Sequence, residues 1–185
     1  QYVASLVSPS PLVSGYTVVR QTGNLANRIR IVFLGDGYTG DQLTTTYRRH
    51  IADFLDYMFS SDILVEPFGR YKNFFNIFAV NVASNEEGAD REDGVSAVDT
   101  ALGATFYADG VTERALWVDD TLVQSALDIG LKGSGIAPDM TFVTVNSGKY
   151  GGSGGRYAVF AGGNTFASEL ALHEIGHSFA DLADE

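Results

Sequence analysis

The pattern His173-Glu174-Ile175-Gly176-His177, near the end of the chain, constrains the fold more than any other stretch. Two histidines four residues apart share a face if the backbone between them is α-helical. They then stand about one turn apart, and both imidazoles reach one metal ion. A glutamate next to the first histidine lies beside that metal without ligating it, where it can take a proton from an activated water. Leu170, Leu172, Ile175, Phe179 and Leu182 supply the apolar flanks of a buried helix. No proline interrupts 167–185, and Ser168 followed by Glu169 suits the opening of such a helix. The bland alternative is a core helix whose histidines merely hydrogen-bond. It leaves two imidazoles and a carboxylate buried together without compensation, which is costly.

A catalytic zinc takes three protein ligands and keeps a position for water. His50 is the only other histidine, and it sits in an amphipathic stretch, 43–59, where it reads as a surface or hydrogen-bonded residue. The third ligand is therefore expected to be a carboxylate, from Asp181, Asp184 or Glu185. At about 1.5 Å per residue, a straight helix carries Asp184 roughly 10 Å past His177. Asp184 can thus ligate only if the chain turns back after about residue 180, and such a turn is made without glycine because Ala180 stands there. Asp181, one turn along the same face, suits the orienting of a histidine ring.

The length of 185 residues and the 45% hydrophobic content fit one domain with a real core, split as a lead-in segment 1–27 and a catalytic domain 28–185. A formal charge of −11 argues against a nucleic-acid partner. The absence of cysteine excludes disulfides and thiolate metal sites. No apolar run approaches the ~20 residues of a membrane span. The sequence stops at Glu185, at or just after the proposed site, so the reading expects a longer protein, truncated at its C-terminal end. Oligomeric state is left open.

Strands are expected at 16–20, 28–34, 73–82, 139–146 and 156–161, and helices from 39–41 to about 59 and over 112–130, with the metal helix last. Strands separated by helices of this length predict an α/β layer architecture with a mixed sheet. The acidic loop 84–94 crowds hard oxygen donors that suit Ca²⁺, yet it lacks the spacing of a calcium loop and reads better as a solvated loop. The glycine-rich stretch 146–155 lacks the phosphate-loop pattern and reads as a flexible loop beside a cleft. The strand after it, 156–161, is expected to pair with an extended substrate. Tyr150 or Tyr157 is placed to donate a hydrogen bond to an oxyanion, or simply to pack.

Five segments in order carry a resemblance: I-V-F-L-G-D-G-Y-T (31–39), F-F-N-I-F-A-V-N-V-A-S-N-E-E-G (74–88), D-T (99–100), V-N-S-G-K-Y-G-G-S-G-G (145–155) and H-E-I-G-H-S-F-A-D-L-A-D-E (173–185). From about residue 28 to the end the chain resembles the IgA-peptidase family of bacterial secreted zinc metallopeptidases. The resemblance implies a zincin-like catalytic domain, with His173 and His177 as zinc ligands and Glu174 as general base. Asp184 and Glu185 correspond to the family's acidic pair, which carries the third-ligand role to Asp184. Secretion and a protein or peptide substrate are implied as well, although immunoglobulin A need not be that substrate. Two rival readings remain: a non-catalytic binding module on a peptidase scaffold, and a zinc amidase acting on cell-wall peptides.

Overall fold

A computed structural model describes residues 12–60 and 62–183. Six strands form one mixed sheet in the order β1-β3-β2-β4-β6-β5. They are β1 (Leu12–Arg20), β2 (Ile29–Asp36), β3 (Phe75–Ala83), β4 (Met140–Val145), β5 (Gly152–Ser153) and β6 (Ala158–Ala161). The inner four run parallel, and β1 and β5 close the two edges antiparallel to β3 and β6. The helices are α1 (Thr46–Met58), the short α2 (Phe68–Tyr71), α3 (Asp120–Gly130) and α4 (Ala167–Ala180). Part of the lead-in segment 1–27 thus belongs to the sheet, as β1; residues 1–11 lie outside the described residues.

Strand alternation sorts the apolar residues between two cores, because successive side chains point to opposite faces. Ile31, Phe33, Ile77, Phe142 and Phe160 face α1 and α4, whereas Val32, Leu34, Val80, Val143 and Val159 face α3 and the loop before it. Both faces are covered, so the inner strands read as near-continuous apolar runs. On the first face Phe54 of α1 lies 5.0 Å from Phe142 and 5.7 Å from Phe160, centroid to centroid. Burial of a side chain of this size contributes roughly 2–3 kcal/mol. Helix α4 lies beside α1 on this face and buries Ala167, Leu170, Ala171 and Ile175 against the sheet. Packing of one stripe of α4 therefore decides which way its histidines turn.

Two expectations are corrected here. The helix expected over 112–130 begins only at Asp120, where the Asp119 carboxylate accepts the N–H groups of Thr121 and Leu122. Residues 112–118 are committed elsewhere. Trp117 exchanges both backbone hydrogen bonds with Thr105, and the Arg114 carbonyl accepts the Gly152 N–H at 3.1 Å. The expected start of α1 also moves: Thr39 and Asp41 bond each other, a 3₁₀ turn follows, and the helix begins at Thr46.

A buried carboxylate holds the long segment between β3 and α3 against the end of β2. Asp36 is fully buried and accepts the Leu102 and Ala104 N–H groups at 2.8 Å each and the Ser84 hydroxyl at 3.1 Å. Burial raises its pKa, and these donors offset only part of the rise. Next to it, Gly37 has φ +70°, and a Cβ there would lie 1.9 Å from the Gly88 carbonyl oxygen. Gly37→Ala combines a left-handed backbone with that clash, so a loss of about 2 kcal/mol or more is expected in urea unfolding. Wild-type stability in this variant would show that the junction is not tight.

Candidate metal centre

Helix α4 presents His173 exposed, Glu174 buried and His177 half-buried, with one donor atom from each within 4.8 Å of the others. Among the described residues this is the only group of three such side chains drawn so close. The two Nε2 atoms are 3.0 Å apart. That approaches the separation of about 3.3 Å expected for two nitrogens each ~2.0–2.1 Å from a tetrahedral zinc. The Nδ1 of His177 lies 2.7 Å from the Leu182 carbonyl oxygen. A carbonyl only accepts, so that nitrogen donates, and in the neutral ring this leaves the Nε2 lone pair for a metal. The residues present fit a metal ion on the chemistry of this donor set.

The chain turns directly after the motif. Asp181 takes the left-handed conformation, φ 53° and ψ 37°, and the Leu182 N–H folds back to the Gly176 carbonyl at 3.2 Å. This return brings the Leu182 carbonyl to His177. The His177 ring is oriented by that main-chain carbonyl. Aspartate tolerates this backbone region better than most residues, which is why the turn forms without glycine. Asp184 and Glu185 lie outside the described residues.

The glycine-rich stretch is in part ordered sheet. β5 pairs with β6, placing residues 152–154 against the helix. A Cβ on Gly152 would lie 3.1 Å from a Glu174 carboxylate oxygen, and one on Gly154 only 2.5 Å from the His177 Cβ. The Ser178 hydroxyl joins the two layers, donating to the Glu174 carbonyl at 3.1 Å and accepting the Gly155 N–H at 3.2 Å. Sequence reasoning missed Ser178 and the need for glycine at 152 and 154. The signal available was two glycines at alternate positions preceding a metal motif. The expected substrate-pairing strand is also corrected: β6 lies between β4 and β5, so the outer strand is β5, and at Gly152 its edge already meets Arg114.

The two tyrosines separate. Tyr150 lines a cleft of about 500 Å³ together with His173, Arg114, Phe166, Glu169 and Leu170. Tyr157 is buried in the opposite core, its hydroxyl 3.2 Å from the Gln124 side chain of α3, and is not brought to that cleft. His50 is buried on α1 with Nδ1 2.7 Å from the Tyr38 hydroxyl, and burial lowers its pKa. It is a hydrogen-bonded core histidine. In the acidic loop, Asp93 accepts the Val95 and Ser96 N–H groups, Asp90 accepts that of Val98 and Glu86 that of Asp99. These carboxylates shape turns, and the loop offers no cluster of donors to Ca²⁺.

A mixed α/β domain that brings a His–Glu–His donor group together on one helix is compatible with a bound metal. A family model described as IgA Peptidase M64 matches residues 17–185, and the chain belongs to that peptidase family. No curated protein matches it in a sequence search. No helix among the described residues is long and apolar enough to cross a membrane. The contact at Gly154 is testable: Gly154→Ala should push the loop off His177 and weaken metal affinity about tenfold or more in a chelator-competition titration. Unchanged affinity would mean that the loop does not set the histidine's position.

Proposed function

We propose that the chain is a zinc-dependent endopeptidase of zincin-like architecture, hydrolysing peptide bonds with Glu174 as general base. The observation that carries this reading is the convergence of the His173 and His177 Nε2 atoms at 3.0 Å beside the buried Glu174. His173, His177 and Asp184 would hold the ion, the last by resemblance alone. Zn²⁺, when bound, supplies Lewis acidity and lowers the pKa of water toward ~7.

The rest is done by the chain's own residues. Glu174 takes a proton from the attacking water on one carboxylate oxygen and delivers it to the departing amide nitrogen. Gly152 and Gly154 hold the carboxylate and the His177 ring in register, so little reorganisation precedes the transfer. The Tyr150 hydroxyl, in the cleft that His173 also lines, donates to the developing oxyanion. The substrate is a protein or peptide, and the resemblance to secreted peptidases supports an extracellular site of action.

Glu174 also bears on the rivals, since a pure binding module has no need of a buried carboxylate beside two metal-ligating histidines. Glu174→Gln should keep its metal and lose about 10²–10⁴-fold in the hydrolysis of an unfolded protein such as casein. Near-wild-type turnover in that variant would remove Glu174 as the base. Muropeptide release in place of casein cleavage would favour the amidase.

A further inference from the structure

Among the described residues, the cleft against His173 is lined by one arginine, Arg114, whose main chain is fixed. Arg114 is exposed, and no carboxylate among the described residues lies within ion-pair distance of its guanidinium. Its main chain is pinned, because its carbonyl accepts the Gly152 N–H at 3.1 Å and the adjacent Ala115 bridges to Gly152. The flanking charges are spent elsewhere. Glu113 pairs with Lys149 at 3.1 Å, and that ammonium also donates to the Glu92 carbonyl at 2.6 Å and lies over the Phe106 and Tyr107 rings. Glu169, a carboxylate that lines the same cleft one turn before His173 on α4, forms no ion pair with the Arg114 guanidinium.

An unpaired guanidinium presents a planar fork that matches a carboxylate in two parallel hydrogen bonds. Arg114 lines the same cleft as a motif histidine, together with the exposed Tyr150 and Phe166. We infer that Arg114 is a specificity-determining residue that binds a substrate carboxylate close to the scissile bond; the inference rests on the peptidase reading of the neighbouring histidines. The carboxylate comes either from an acidic side chain or from a substrate C-terminus. The remainder of the cleft, aromatic and half-open, takes the aliphatic or aromatic part of the same residue or its neighbour.

The test uses short peptides that differ only in Glu, Gln or Lys at each position around one cleavage site, each made as the free acid and as the C-terminal amide. Both kcat/KM for the wild-type chain and the Kd of the same peptides for Glu174→Gln are measured. A preference for the carboxylate of about tenfold is expected. Arg114→Ala should collapse it toward unity, and Arg114→Glu should turn it toward Lys. A preference that survives amidation assigns the carboxylate to a side chain, and one that vanishes assigns it to a C-terminus. Arg70→Ala, outside the cleft, controls for net charge and should not move the ratio. No preference in the wild type, or one unmoved by Arg114→Ala, overturns the inference. Binding that discriminates through Arg114 without any hydrolysis would retain this subsite and reject the peptidase reading.

Discussion

The site depends on a close approach of backbone to helix. Residues 152–154 lie so near α4 that a single methyl group on Gly154 would collide with His177, and one on Gly152 would crowd the Glu174 carboxylate. Interiors are packed at crystal-like density, so an approach of this kind fixes side chains as firmly as any hydrogen bond. The motif helix alone would leave both imidazoles free to choose rotamers. The glycine segment restricts His177 from one side, the Leu182 carbonyl orients it from the other, and Ser178 ties the two layers together.

That approach is itself built on the loops of the sheet's far end. β5 is only two residues long, and a strand so short gains little from its own pairing with β6. It is reinforced on its outer side by Arg114 and by the Ser153 hydroxyl, which donates to the Leu116 carbonyl at 2.7 Å. Residues 114–117 are in turn held by Thr105, and Leu102 and Ala104 by the buried Asp36. A continuous chain of hydrogen bonds therefore links a carboxylate at the end of β2 to the segment packed on helix α4. The segment that completes the sheet edge is also the one that brings a guanidinium to the cleft.

Much of this was legible from residues alone, for reasons that can be named. The inner strands were readable because burial on both faces makes them continuous apolar runs, and the structure moves their ends by only a residue or two. Helix α4 was readable because the spacing of two histidines is meaningful only on a helix. Residues 112–119 misled because no glycine or proline there stops a helix that runs on to 130, while the hydrogen bonds that recruit 112–118 to β5 come from residues distant in sequence. Tyr157 and Tyr150 could not be told apart, since which face of a glycine-rich loop a tyrosine takes is settled by tertiary packing. Ser178 was invisible for a simpler reason: a serine in a helix carries no signal until the strand above it is placed.

The central claim is that His173 and His177 are a metal site and not a hydrogen-bonded pair. Elemental mass spectrometry of the purified 185-residue chain beside His177→Ala addresses it most directly. The account predicts about one zinc per wild-type chain and a loss of it in the variant. Equal zinc in both proteins, or none in the wild type even after zinc is supplied, would contradict it.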